Sequence, residues 1–355
     1  MVQAGLKGQF GRRRWLTLRR LMIRSLAYTG MVRAWRALAR RGVPLVVYFH
    51  EVTPDADPAV MPPDPMLRIE PSLFTWVLNQ LAQRFRFASL DEVVESRNPR
   101  LVAVTFDDGY RGVYQHAFPI LARHKIPATV FLTTSHVGTN RLLWWDRLLL
   151  QARKAQESGL EAAQRLGALE PRILGGGGMI DEDELLLAFK LMSCPQRDEV
   201  WQVLDDLAGL VTARERIFVS EGEIREMAAA GIQFGAHTRT HPLLTWLDDS
   251  ALLDEVVGSK ADVARLVGTE DIWFAYPDGV FGDREMAIAR EAGFRGAVQT
   301  WRQPWRRGTY AVPRVGLNIW TVHGGSALPD PARLEITLAG LSLRAVRSLW
   351  RKDLA

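Results

Sequence analysis

Two acidic residues, Asp107 and Asp108, stand side by side in the run Thr105-Phe-Asp-Asp-Gly-Tyr110. Far downstream, two histidines stand four apart in Phe234-Gly-Ala-His-Thr-Arg-Thr-His241. An Asp-His-His set suits Zn²⁺ or a similar divalent ion, Co²⁺ or Ni²⁺ included, because three protein ligands leave a position open for water. Such an ion lowers the pKa of water from 15.7 towards about 7, so a carboxylate is then a sufficient base. Side chains of neighbouring strand residues diverge, which lets one aspartate bind the ion while the other takes a proton. Either motif alone is as often a turn or a pair of surface histidines. Together, on strand ends, they point to a mononuclear metal hydrolase.

The elements that must position these groups are legible from periodicity. Leu101-Val-Ala-Val-Thr-Phe106 is apolar and β-branched and is closed by Gly109, so it reads as a buried strand carrying the aspartates at its C-terminal end. Ile232-Gln-Phe234 reads as a second strand leading to His237. Further strands are expected near 44–49, 128–133, 272–276, 296–300 and 311–316, with helical patterns between, such as Phe74 to Phe85 and Leu252 to Leu266. Alternation of this kind, with chemistry at strand ends, argues an α/β parallel barrel. Residues 140–220 break the alternation. They begin with Trp144-Trp-Asp-Arg-Leu148, pass through Gly175 to Gly178 as an expected flexible loop, and continue with helical periodicity from Asp181 to Leu210. This is the pattern of a helical insertion beside the barrel, with the tryptophan pair better suited to core packing than to stacking on sugars.

The motifs resemble those of the polysaccharide deacetylases, the NodB-like group of carbohydrate esterases (family 4) that remove N-acetyl groups from aminosugars. Thr105-Phe-Asp-Asp-Gly109 matches the family's first motif and His237-Thr-Arg-Thr-His241 its second. Phe274-Ala-Tyr-Pro-Asp-Gly279 matches the third, which lines the substrate groove. The resemblance spans roughly residues 43 to 317, apart from 140 to 220. It implies a distorted (β/α)7 barrel, Asp107 as base, Asp108, His237 and His241 as metal ligands, Thr238 steadying the metal loop, and Tyr276 and Pro277 at the groove. It also implies metal-assisted hydrolysis of an acetamido group, with the oxyanion held near the backbone N–H of Tyr110 and acetate released.

Two departures from the family pattern concern the acid and the base's partner. No Leu-x-His motif follows Pro313-Arg-Val-Gly-Leu317. Instead Leu45-Val-Val-Tyr-Phe-His50 ends the first expected strand, which resembles the permuted exopolysaccharide deacetylases and makes His50 the candidate acid, with His323 as runner-up. His116, His124 and His136 lack motif context and are expected at the surface. The third motif also lacks its preceding arginine; Arg314 could pair with Asp107 and hold it ionised, or serve as a structural ion pair. The strand Gly293 to Thr300 offers no aspartate to orient the acid.

At 355 residues and 47% hydrophobic composition the chain has ample material for one catalytic domain. A single cysteine, Cys194, excludes an internal disulfide framework. The first 50 residues carry 11 Lys or Arg and no Asp or Glu, although the whole chain is only +5, so the basicity is local. Trp15, Leu18, Met22 and Leu26 recur at helical spacing among arginines, and Leu343, Val346, Leu349 and Trp350 repeat the chemistry near the C-terminus. Both read as basic amphipathic helices suited to an anionic membrane surface, with a helix packed on the barrel or a nucleic-acid-binding arm as the alternatives. The expected layout is a basic segment over 1–42, a catalytic domain over 43–325 and a second basic segment over 326–355. No apolar run spans a bilayer and no secretory signal is evident, so a cytoplasmic enzyme peripheral to the inner membrane face is expected. Its substrate would be an envelope glycan, an exopolysaccharide or a lipid-linked saccharide precursor. An amidase or deformylase on another acyl group, and a non-catalytic glycan-binding or membrane-assembly protein, are the alternatives.

Overall fold

The computed structural model describes residues 45–54, 65–96, 98–157, 159–300, 308–322 and 329–339. Seven parallel strands, β1 (Leu45–Phe49), β2 (Leu101–Phe106), β3 (Ala128–Leu132), β4 (Gln233–Ala236), β5 (Trp273–Ala275), β6 (Gly296–Thr300) and β7 (Val312–Gly316), follow one another round a closed barrel. Closure comes from β1, which pairs with β7 at Val47↔Val315 and with β2 from Leu45↔Val102 to Phe49↔Phe106. A two-residue strand, Arg86–Phe87, adds to the start of β2. β1 and β2 are almost wholly buried runs of β-branched and aromatic residues, as strands covered on both faces require.

Inside the barrel, glycines make room for aromatic rings. A methyl on Gly235 would come within 2.5 Å of Phe131, one on Gly296 within 2.5 Å of Trp273, and one on Gly316 within 2.8 Å of Tyr48. Val46, Ala103, Phe131, Trp273 and Val298 cluster there with Leu90 and Val93 of a short helix, Leu90–Ser96. That helix leads into β2 and so closes the end of the barrel opposite the aspartates.

The outer helices include α1 (Pro71–Ala82), α2 (Phe118–His124), α3 (Trp144–Glu157), α4 (Glu161–Leu169), α5 (Glu182–Leu191), α6 (Cys194–Ala208), α7 (Glu221–Ala229), α8 (Asp249–Val267) and α9 (Asp283–Glu291). α1 starts at Pro71, three residues before the expected Phe74, because proline at the first helical position forgoes only a donor that would be unpaired anyway. α3 to α6 form the insertion, which has a core of its own around Leu148, Leu166, Leu185, Val200 and Leu204. The helical pattern from Asp181 to Leu210 is two helices, not one: a capping box at Ser193 and Gln196, with Pro195 in the first turn, restarts the chain at α6. The glycine run is a tight turn rather than a flexible loop, closed by Gly175 N–H to the Met179 carbonyl and bracketed by Leu174 and Ile180. The basic segment 1–42, the amphipathic set Leu343 to Trp350 and His323 lie outside the described residues; of the segment 326–355 only 329–339 is described, and there a helix over Pro331–Leu338 buries Leu334 and Leu338 in the main core.

Candidate metal centre and its surroundings

Asp107 and Asp108 leave the end of β2 in a turn that the sequence makes possible. The Asp107 N–H donates to the Phe49 carbonyl across the β1–β2 pair at 2.9 Å. Asp108 and Gly109 then adopt left-handed backbone, φ +71° and +79°, which swings the second carboxylate away from the first. Gly109 has no room for a side chain, since a methyl would meet Leu132 at 2.9 Å.

Asp108 Oδ1 lies 3.6 Å from His237 Nε2 and 3.6 Å from His241 Nε2, and all three residues are buried. His237 is fixed through Nδ1, 2.7 Å from the Ala275 carbonyl at the end of β5. Both carboxylate oxygens of Asp108 are buried with no hydrogen-bond partner among the described residues. A buried carboxylate so left is costly unless a cation completes it, and this donor set of one oxygen and two imidazole nitrogens fits a divalent ion such as Zn²⁺. Burial holds both imidazoles below the usual histidine range, with His237 adding to the effect on His241, so both are neutral and suited to ligation. Burial, and then the neighbouring Asp107, push Asp108 well up, a repulsion that a bound cation would reverse.

Asp107 meets Arg314 of β7 in a two-pronged pair, Nη1 to Oδ1 at 2.6 Å and Nη2 to Oδ2 at 2.7 Å. Burial alone would raise the carboxyl, but Arg314 and then His237 outweigh it and hold Asp107 below its ordinary value. Arg314 is fully buried, donates also to Thr105 Oγ1, and lies over the rings of Tyr48 and Phe131. His50 follows β1, half-buried, with its ring edge-on to Tyr48 at 5.5 Å between centroids. Burial lowers its pKa to about 4, and Arg314 and His237 add to that, while Asp107 opposes it.

The remaining expected site residues divide. Thr238, left-handed at φ +66°, accepts the His241 N–H at 2.9 Å and so shapes the loop between the two imidazoles. Tyr110 pairs with Phe218 as a non-hydrogen-bonded antiparallel pair, the bonds being made by Arg111 and Val219, so its own N–H points away from that segment. Its side chain lies in the core, stacked on Phe218, with the hydroxyl donating to Asp146 at 2.8 Å. Tyr276, expected at the groove, has its ring buried and stacked on Phe281, and its hydroxyl donates to the Tyr310 carbonyl. Pro277 is buried beside it. His136, expected at the surface, is buried edge-on to Phe218. The aromatic character around both residues draws them inward.

Several residues at the site carried no motif. Trp145 packs edge-on to His241, with 4.4 Å between ring centroids, and Trp144 Nε1 donates to the His241 carbonyl at 3.2 Å. Glu255 of α8 accepts the N–H groups of Arg239 and Thr240 at 2.7 and 2.9 Å. Glu51 is buried and pushed well up by burial, with Asp108 and Asp146 adding to the repulsion. Its neighbour Gly112 has no space for a methyl, which would overlap Glu51 Oε1. Lys190 of the insertion pairs with Asp278 beyond β5 at 2.7 Å. Only the tryptophan pair stood out in the sequence, and nothing there tied it to a histidine roughly a hundred residues away.

A family model described as polysaccharide deacetylase matches residues 95–165 and 199–297. Over 39 residues the chain is 51% identical to the poly-beta-1,6-N-acetyl-D-glucosamine N-deacetylase of Staphylococcus aureus, covering 11% of this chain and 13% of that relative. It is 37% identical over 59 residues to the enzyme of the same name from Staphylococcus epidermidis, covering 15% and 20%. The matched stretches thus span at most a fifth of these curated relatives' own length. Among solved structures, the Streptococcus pyogenes deacetylase PplD in complex with acetate aligns with a TM-score of 0.49 at 17% identity, over 78% of this chain and 92% of that one. IcaB from Ammonifex degensii aligns with a TM-score of 0.46 at 20% identity, over 84% and 97%.

Proposed function

This chain belongs to the polysaccharide deacetylase family, and from that premise we propose that it is a metal-dependent hydrolase removing N-acetyl groups from N-acetylhexosamine units. The observation that carries the reading is Asp108, a buried carboxylate with no hydrogen-bond partner among the described residues, facing two neutral imidazoles beside a second carboxylate held ionised by Arg314. A divalent cation held by Asp108, His237 and His241 would supply Lewis acidity for attack on the acetamido carbonyl.

The chain's own groups do the rest. Asp107 takes the proton of the attacking water, and Arg314 keeps it ionised for that purpose. The N–H of Tyr110, turned away from residues 217–219, is the oxyanion donor in this reading. His50 protonates the departing nitrogen. Because His50 is neutral at pH 7, the proton that it delivers is gained during the reaction, and Asp107 is the foremost neighbour favouring its charged form. The products are acetate and a free amino sugar.

The relatives' names make a β-1,6-linked N-acetylglucosamine polymer the first substrate to test, with lipid-linked saccharides second. The basic amphipathic segments support a site of action at an anionic membrane surface, on the cytoplasmic side, where an envelope or exopolysaccharide precursor would be presented. No helix among the described residues is long and apolar enough to cross a membrane.

The test is acetate release by the purified protein, before and after chelation and again after Zn²⁺ or Co²⁺ is restored. Release that depends on metal and falls by about 10²–10⁴-fold in Asp107→Asn is expected. No release from any acetylated substrate, with one metal ion bound per chain, would overturn the deacetylase reading in favour of another acyl group or a binding role.

A further inference from the structure

His237 and His241 are held in different ways. Imidazoles that ligate a metal ordinarily donate the opposite ring N–H to a carboxylate, a carbonyl or water, which fixes ring orientation and tautomer. His237 follows that rule, with Nδ1 on the Ala275 carbonyl. His241 does not: with Nε2 turned towards Asp108, its Nδ1 is buried and has no hydrogen-bond partner among the described residues. What stands against its ring is Trp145, edge-on at 4.4 Å between centroids. The indole Nε1 of Trp145 is likewise buried without a partner among the described residues.

Trp145 belongs to the first turn of α3, which opens the helical insertion, and its two neighbours also reach the metal loops. Trp144 Nε1 donates to the His241 carbonyl, and Asp146 accepts the hydroxyl of Tyr110, two residues beyond Asp108. Three consecutive residues therefore touch the backbone of one ligand, the ring of that same ligand, and the turn that carries another. Behind them the tryptophans are braced: Trp144 is stacked on Phe189 of α5, and Trp145 packs with Tyr110, Leu143 and Phe218. His241 also sits in left-handed backbone at φ +60°, which histidine tolerates better than most non-glycine residues, so what its ring lacks is a hydrogen-bonded partner rather than an allowed backbone.

We propose that Trp145 is the positioning residue for His241, and that through Trp144-Trp145-Asp146 the helical insertion orders the metal centre instead of merely packing beside the barrel. An aromatic ring face or edge against the imidazole replaces the usual hydrogen-bonded partner, and the insertion's own core supplies its rigidity. The inference rests on the metal reading of Asp108, His237 and His241, and is independent of which sugar or acyl group is used.

The test is Co²⁺ titration of the full chain, followed by the visible absorption of the bound ion, with competition against Zn²⁺ for affinity. Trp145→Leu is expected to weaken binding by about 10–100-fold, the range for loss of an outer partner of a ligand, and to alter the Co²⁺ spectrum. Trp145→Phe, which keeps an aromatic ring, should restore most of the affinity. Leu81→Ala, at the end of α1 in the core outside the insertion, should lower the melting temperature and leave Co²⁺ affinity unchanged. If Trp145→Leu only lowers the melting temperature, as Leu81→Ala does, Trp145 is a packing residue and the proposal fails. Should Trp145→Leu not fold, Trp144→Phe decides, since it deletes the bond to the His241 carbonyl and keeps the ring: weaker Co²⁺ binding supports the proposal and unchanged binding overturns it. Failure of the unaltered protein to take up Co²⁺ in a manner lost in Asp108→Asn would remove the metal reading itself, and this inference with it.

Discussion

Arg314, itself fully buried, grips the nearly buried Asp107 with both terminal nitrogens. A guanidinium suits the task because its planar fork matches both carboxylate oxygens and it remains charged at any working pH. Losing it would leave a carboxylate buried beside neutral imidazoles, at a cost of about 3–5 kcal/mol. The pH consequence has a definite sign. Asp107 is held below its ordinary value, so its ionised, proton-accepting form persists as pH falls and is lost only below the usual carboxylate range. Arg314→Gln should therefore shift the acidic limb of a kcat/KM profile to higher pH and lower stability in chemical denaturation. A limb that stays in place would mean that Asp107 is not the group it reports.

Among the described residues, five non-glycine positions have positive φ, and three of them are Asp108, Thr238 and His241. Asp tolerates that conformation, but Thr is β-branched and pays more; such residues cost about 1–3 kcal/mol each and persist where their surroundings over-determine them. The element that does so for the histidine loop is α8. Its Glu255 accepts two backbone N–H groups of the loop, while Asp254 and Asp262 hold Arg239, and Thr134 reaches Asp262 from beyond β3. Removing the Glu255 carboxylate strands two donors next to the ligands. Glu255→Ala should destabilise the protein by about 1–3 kcal/mol in urea denaturation and weaken metal binding, with Glu255→Gln milder because it keeps an acceptor. Equal metal affinity in both variants would show that the loop holds its strained shape unaided.

At the scale of the molecule, the barrel, the insertion and the basic segments do separate work. The barrel brings β1, β2, β4, β5 and β7 to one rim, so residues from position 50 to position 314 converge there. The insertion meets that rim through Trp144 and Trp145 on His241, through Asp146 on Tyr110 and through Lys190 on Asp278. Charge is distributed unevenly, with 11 Lys or Arg and no acid in the first 50 residues of a chain whose net charge is +5. If those residues hold the enzyme to an anionic surface, the protein should sediment with phosphatidylserine-containing vesicles at low salt and release as ionic strength rises, because surface electrostatics are screened within about 10 Å at 0.1 M salt. A chain lacking residues 1–42 that sediments equally well would sink the membrane proposal.

The adjacent carboxylates, the paired histidines and the strand–helix alternation were readable in the chain because each is local. A buried strand, a glycine turn and a four-residue spacing are written in adjacent letters, and the resemblance to permuted members of the family adds His50 as a candidate. Arg314 was readable as a possible partner of Asp107 but equally as a structural ion pair. That the two meet depends on the order of strands round the barrel, which brings β7 beside β1 and β1 beside β2. The roles of Glu255 and Trp145 were not readable at all, since a glutamate within a helix and a tryptophan opening another look like ordinary surface and core residues. Tertiary structure alone decided that the first would cap the histidine loop and the second would face His241. Contacts between residues far apart in the chain are set by packing geometry, and no local pattern encodes that.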